Sequence, residues 1–228
     1  MKIVFYNETL LSGGIEKCIE LLNNYLSTEH EIEIVYIDDS KLDNKIVDVL
    51  SKNAKIHKLE DNEVIEADVC IWCRIYFDYD KLMNQIRAKR NILWVHSRPR
   101  ERENCLLDVP EFVERIDKIV CVSEAVKSEV GIEDKSIVIH NFMDEDIKKL
   151  AAAGNPFDGI NDDCLKMTVV ARISEGKGFD RVLEFVKCMK KRDISFVLKI
   201  VGKGRNKEKE IRADFEGIEE VEFVRIFG

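Results

Sequence analysis

No apolar run in this sequence approaches the roughly 20 residues that a helix needs to cross a bilayer, which excludes a helical membrane span. The first residues, MKIVFYNETLL, lack the apolar core and small-residue cleavage site of a secretory signal. They read instead as a first β-strand, and the expectation is a cytoplasmic protein. A disulfide framework is also missing. The seven cysteines, at 18, 70, 73, 105, 121, 164 and 188, are odd in number and scattered, mostly in apolar strand or helix contexts such as VCIWC. They read as reduced, buried thiols. Cys70-Ile71-Trp72-Cys73 has no second CxxC at zinc spacing. It lies along a predicted strand, whereas a redox pair opens a helix, so structural cysteines are the favoured reading. Ser123 lacks the flanking glycines of a nucleophile elbow and reads as a helix N-cap. No positive excess exists to attract nucleic acid: the net charge is −8.

What the chain does have is alternation. Short runs rich in Val, Ile and Leu recur at Lys2–Tyr6, Glu31–Ile37, Lys55–Leu59, Ala67–Trp72, Asn91–His96, Lys118–Val122 and Ser136–His140. Helical patterns lie between them at Ile15–Ser27, Lys41–Ser51, Asp80–Lys89, Pro110–Arg115 and Glu124–Val130. Such a series predicts an α/β fold, with a mostly parallel sheet covered by helices on both faces. Residues 146–163 relax into a linker of mixed charge, Ala, Gly, Pro and Asn. A second series follows: strand Lys166–Ala171, helix Phe179–Lys190, strand Ser195–Val201, helix Arg205–Arg212 and strand Val221–Ile226. The expected organisation is a first lobe over 1–145, the linker, and a partial second lobe over 164–228. The second part is basic, with 15 Lys and Arg against 11 Asp and Glu, whereas residues 1–163 hold 21 against 33. That balance suits an anionic small ligand.

The strongest chemical signal is Val169–Phe185, VVARISEGKGFDRVLEF. An apolar strand runs into Arg172, a polar turn carries Lys177, and an amphipathic helix follows. Open α/β sheets bind ligands outside the carboxyl ends of their strands. A helix N-terminus there adds free N–H groups and partial positive charge. Two cations at that place predict an anionic partner such as a diphosphate, against the plainer alternative of two surface ion pairs. Gly202 and Gly204 end the next strand and put a close-approach loop on the same edge, flanked by Lys203 and Arg205.

In the first lobe, Gly13 and Gly14 precede a helix, so they either let a ligand approach or form an ordinary turn. They lack the third glycine of a dinucleotide fingerprint, which disfavours a nicotinamide cofactor. His96 ends a strand and faces the expected crevice, as a hydrogen-bonding or proton-shuttling group or as a rim histidine satisfied by backbone. Asp78-Tyr79-Asp80 has the letters of a metal-binding pair but reads better as a helix N-terminus. Arg87, Lys89, Arg90, Arg98, Arg100 and Arg102 form a basic run of the kind that meets acidic headgroups, though a solvated face is favoured.

In order, GGIEK (13–17), VHS (95–97), VCVSEAVK (120–127), VIHNFMD (138–144), VARISEGKGFDRVLEF (170–185) and IVGKGR (200–205) resemble family 4 of the retaining, nucleotide-sugar-dependent glycosyltransferases, which have the GT-B fold. The resemblance implies two Rossmann-like lobes, the first for the acceptor and the second for the donor. Arg172 and Lys177 would hold the donor diphosphate and stabilise the leaving group, with no metal and no further cofactor. Gly13 and Gly14 would face the same phosphates, and His96 the transferred sugar. Asn141, Gly202 and Gly204 would line the cleft. The implied partners are a nucleotide-sugar donor and a glycan or lipid-linked acceptor, with no nucleic acid and at most a weak peripheral contact at the inner membrane face. Members of the family carry a later pair of glutamates that grips the donor sugar and ribose, and the sequence reaches Gly228 before it. The expectation is therefore a hexosyltransferase incomplete or inactive as this chain. The alternative is a non-catalytic sugar- or nucleotide-binding subunit that needs a partner chain.

Overall fold

The computed structural model describes residues 1–99, 105–144, 155–204 and 207–224. The chain divides into two compact units, Met1–Lys148 and Lys149–Gly228.

The first unit holds seven strands: β1 (Lys2–Tyr6), β2 (Glu31–Tyr36), β3 (Lys55–Lys58), β4 (Ile65–Trp72), β5 (Ile86–Val95), β6 (Lys118–Cys121) and β7 (Ser136–Val138). Among the described residues five α-helices join them: α1 (Gly14–Leu26), α2 (Asn44–Leu50), α3 (Tyr79–Gln85), α4 (Pro110–Arg115) and α5 (Glu124–Val130). The sheet is parallel throughout, in the order β3-β2-β1-β4-β5-β6-β7. β1 shows why so few residues specify a central strand. Ile3 and Phe5 face one core with α1 and α2, while Val4 and Tyr6 face the other with α3, α4 and α5. A strand buried on both faces has no polar alternation, so it reads as a continuous apolar run.

Sequence and structure part company at β5. The helix expected to reach Lys89 stops at Gln85, and the strand begins at Ile86. Residues Arg87–Arg90 are charged enough to resemble a solvated helix face. Here they extend β5 alongside a β4 that starts at Ile65, with Glu66 opposite Arg87 and Val69 opposite Arg90. Pairing with β4 satisfies the backbone groups on that side, and carboxylates meet their side chains: Arg87 meets Glu66 at 3.8 Å, Lys89 meets Asp68 at 2.6 Å and Arg90 meets Asp117 at 3.2 Å. Arg98 likewise pairs with Glu129 at 2.6 Å. Four members of the basic run are thus each set against an acid; Arg100 and Arg102 lie outside the described residues.

The second unit holds β8 (Leu165–Val170), α6 (Phe179–Lys191), β9 (Phe196–Val201), α7 (Glu208–Asp214) and β10 (Val221–Val224). Its parallel sheet has the order β10-β9-β8. Phe196, Leu198 and Ile200 alternate into a core with Phe179, Val186 and Met189 of α6 and with Phe215 just beyond α7. The expected helix start at Arg205 lies outside the described residues, as do Arg225 and Ile226 of the expected last strand.

Candidate functional site

In the first sheet, β1 and β4 are neighbours, but the chain leaves β1 toward β2 and β3 and leaves β4 toward β5, β6 and β7. This is the switch point at which diverging loops open a crevice beyond the carboxyl ends of the strands. A buried polar network lies there. Asn7 donates to Glu16 Oε1 at 3.0 Å and to the Thr9 carbonyl at 2.8 Å. Arg74, two residues past β4, donates from Nε to Asn7 Oδ1 at 2.8 Å and from Nη2 to Thr9 Oγ1 at 3.3 Å. Its Nη2 stands 3.5 Å from Glu16 Oε1. Asn7, Thr9 and Glu16 are all buried, so each needs these partners.

Sequence reasoning missed this network, although signals for it existed. Glu16 and Asn23 share the core-facing stripe of α1 with Ile19. A charged group on a core stripe requires a partner. Arg74 follows a buried strand end, as His96 does.

His96 follows β5 and lines a cavity of about 270 Å³ with Arg74, Tyr76, Trp94, Arg98 and the α1 residue Ile15. Its ring packs against Trp94 at a tilt of 44°, with centroids 4.3 Å apart. Burial, and secondarily the Arg74 charge, push its pKa down to about 4. At neutral pH the imidazole is therefore uncharged, one nitrogen donating and the other accepting. His96 Nε2 and Trp94 Nε1 are both buried and have no hydrogen-bond partner among the described residues.

Gly13 is extended, with φ −170°, and caps α1 without a side-chain bond. A Cβ on Gly14 would meet nothing within 4 Å, so the space at the start of α1 is open. Asn141 lies exposed beyond β7. Its neighbour Phe142 packs on Trp94 with centroids 6.4 Å apart, and Asp144 reaches Lys17 of α1 at 3.8 Å. The first unit thus gathers the start of α1, His96 and the 141–144 segment around Trp94.

In the second unit, Arg172 and Lys177 are exposed on the loop from β8 to α6. Ile173 between them is fully buried and anchors the loop. Gly176 and Gly178 adopt positive φ, +78° and +73°, which lets the loop turn into α6. A cavity of about 450 Å³ beside the loop is lined by Ser174, Glu175, Gly178, Lys207 and Glu210, with neither Arg172 nor Lys177 in it. The glycines after β9 have a different purpose. A Cβ on Gly202 would sit 1.9 Å from the Ala171 carbonyl oxygen, and one on Gly204 would sit 2.0 Å from that of Ile173. The close approach is to the neighbouring backbone, where Ala171 N–H donates to Val201 at 3.1 Å and Ile173 N–H to Lys203 at 3.3 Å. Gly202 and Gly204 therefore set the course of the loop that carries Arg172. Arg205 lies outside the described residues.

The plainer readings hold elsewhere. Asp78 caps α3 by accepting from Lys81 N–H at 3.2 Å. Ser123 caps α5 by accepting from Val126 N–H at 3.2 Å. Cys70 and Cys73 are buried, and burial raises both thiol pKa values.

No protein-family model matches the sequence, and no curated protein matches it by sequence. Solved structures do match its fold. HepE from Anabaena, in complex with UDP and glucose, aligns with TM-score 0.66 and 15% identity over 100% of this chain and 70% of HepE. A glycosyltransferase from Rickettsia africae aligns with TM-score 0.63 and 15% identity, over 100% of this chain and 68% of that one. Staphylococcus aureus TarM, as a mutant in complex with fondaparinux, α-GlcNAc-glycerol and UDP, aligns with TM-score 0.64 and 10% identity, over 99% and 77%. The chain shares the α/β architecture of GT-B glycosyltransferases.

Proposed function

We propose that this protein is a retaining glycosyltransferase, related to family 4, that moves a sugar from a nucleotide-diphosphate donor to a glycan or lipid-linked acceptor. The observation that carries this reading is the exposed Arg172–Lys177 loop at the carboxyl end of β8 and the start of α6, on a GT-B architecture. In the reaction, the bond from the sugar's anomeric carbon to the diphosphate breaks, and its electron pair leaves with the diphosphate. The acceptor oxygen forms a bond to the same face of that carbon, and its proton passes to an oxygen of the departing diphosphate. Charge grows on the departing diphosphate as the sugar takes on oxocarbenium character. Arg172 and Lys177 supply the counter-charge, so no metal is called on. The open space at Gly14 admits the phosphates to the N–H groups that begin α1. Neutral His96 donates to or accepts from a sugar hydroxyl, with Asn141 exposed in the same unit, while Gly202 and Gly204 hold the course of the loop that carries Arg172.

The test is calorimetry of nucleoside diphosphate binding to the chain and to Arg172→Ala. Loss of binding in the variant supports the reading. Unchanged affinity removes the diphosphate clamp.

One observation favours a second reading. Among the described residues β8 pairs on one side only, and Val170 and Leu165 along it are exposed. An edge of that kind readily receives another strand. The chain would then be a non-catalytic sugar- or nucleotide-binding subunit completed by a partner chain. Turnover of nucleotide sugars by the purified chain alone at ordinary enzyme rates would eliminate it.

A further inference from the structure

We propose that the cavity between the ends of β4 and β5 is a subsite for an anionic saccharide, anchored by Arg74, and that it receives an acceptor bearing a phosphate or carboxylate. The assignment to an acceptor rests on the glycosyltransferase reading; the anion subsite itself does not.

Among the described residues the lining includes two cations, Arg74 and Arg98, and no carboxylate. Arg98 is paired with Glu129 at 2.6 Å, closer than the 3.5 Å between Arg74 and Glu16, so Arg74 is the anchor with more of its charge to spare. The guanidinium of Arg74 is held from the protein side. Its Nε binds buried Asn7, and Nη2 faces Thr9 and Glu16. An arginine has five N–H donors in a rigid fork, and these contacts occupy only Nε and one terminal nitrogen. The side chain is 31% exposed and lines the cavity, so part of it is within a ligand's reach. Glu16 offsets part of the charge, but at 3.5 Å it is a long partner and leaves Arg74 able to bridge to a second anion.

The rest of the cavity suits a sugar. Tyr76 and Trp94 contribute aromatic surface, and the Tyr76 hydroxyl is fixed by donating to the Pro99 carbonyl at 2.6 Å. The Trp94 indole N–H can only donate and is itself buried with no partner among the described residues, so Trp94 offers the cavity ring surface rather than a hydrogen bond. At about 270 Å³ the cavity holds one sugar unit rather than a nucleotide. It lies below the roughly 300–1,000 Å³ of a drug-sized site.

The experiment titrates the full chain with glucose 1-phosphate, glucuronate and methyl glucoside by calorimetry, and with UDP in parallel. Trp94 fluorescence is followed throughout. We expect at least one anionic sugar to bind at least tenfold more tightly than methyl glucoside and to perturb Trp94. The tighter of the two identifies the anionic group. Arg74→Gln should lower that affinity at least tenfold and leave UDP affinity unchanged, and Arg74→Lys should restore part of the loss. Arg172→Ala should show the reverse pattern. Because Arg74→Gln strands the buried Glu16, the double variant Glu16→Gln, Arg74→Gln supplies a second test with a neutral pair. Methyl glucoside binding as tightly as the anions would overturn the proposal. So would anion affinity indifferent to both Arg74 variants, or loss of UDP affinity in step with it. A chain that binds anionic sugars through Arg74 but no UDP would refute the glycosyltransferase reading alone.

Discussion

Gly202→Ala should loosen the loop that carries Arg172, and the structure sets the scale of the effect. The new Cβ would lie 1.9 Å from the Ala171 carbonyl oxygen. Relieving that overlap means moving two strand ends apart by about 1–2 Å, since non-bonded contacts begin near 3–3.5 Å. Both obstructing groups are backbone, so no rotamer change relieves it. The movement breaks the bonds from Ala171 N–H to Val201 and from Ile173 N–H to Lys203. Each is worth about 1 kcal/mol net. Partial exposure of Ile173, now fully buried, adds about 1–2 kcal/mol. The expected cost is about 3–4 kcal/mol, a large fraction of the stability of so small a unit. Amide hydrogen exchange reads it directly, as lost protection at Ala171 and Ile173. Both tryptophans, Trp72 and Trp94, lie in the first unit, so their fluorescence serves as a control that should not move. Gly176→Ala separates sterics from conformation. Gly176 has φ +78° with nothing within 4 Å of a Cβ, and should cost only the left-handed strain of about 1–2 kcal/mol. Full protection at Ala171 and Ile173 in Gly202→Ala, with stability unchanged, would refute the close-approach reasoning.

Glu33 is 2% exposed and pairs with Lys2 at 2.8 Å, Lys55 at 2.9 Å and His57 Nδ1 at 2.9 Å. Burial raises its pKa, but hydrogen bonds from Lys2 and Lys55 outweigh that and hold it below the usual value. Glu33→Gln should cost about 3 kcal/mol near neutral pH. Because the folded pKa is depressed, the gap from wild type should close as pH falls through it in urea melts. A pH-independent gap would rule this out. His96 has the same sign of linkage in a higher pH window: its pKa falls from 6.5 to about 4 on folding. The unfolded chain then binds a proton that the folded one does not, so wild-type stability should drop on acidification from about pH 6.5 to 4, by at most about 3 kcal/mol. His96→Gln should show a shallower slope over that window, and equal slopes would count against a buried neutral imidazole. Arg172→Ala should lose nucleoside diphosphate binding, and Arg74→Gln should lose anionic-sugar binding, each without the other's defect in calorimetry.

Much of the site could be read locally. His96 and Arg172 each follow a short apolar run, and the run alone places them at a strand's carboxyl end. The caps at Asp78 and Ser123 were likewise legible, because a cap needs only its own next three residues. Arg74 and Glu16 were not joined in sequence, 58 positions apart, since nothing local says that β4 pairs with β1. Arg87–Arg90 misled for the same reason: a charged segment becomes a strand when a neighbour with Glu66 and Asp68 completes it.

The sequence alone therefore determined the two βα series, the cationic loop at Arg172–Lys177, and a glycine-bearing turn at 202–204 after a strand. All depend on periodicity or backbone freedom within a few residues. Only the tertiary structure decided the strand order that makes β1 and β4 a switch point. It also decided the burial of the Asn7–Glu16–Arg74 network, the pairing of the basic run, and that the carbonyls of Ala171 and Ile173 are what Gly202 and Gly204 accommodate. These outcomes depend on which distant backbone lies alongside, which no local period encodes.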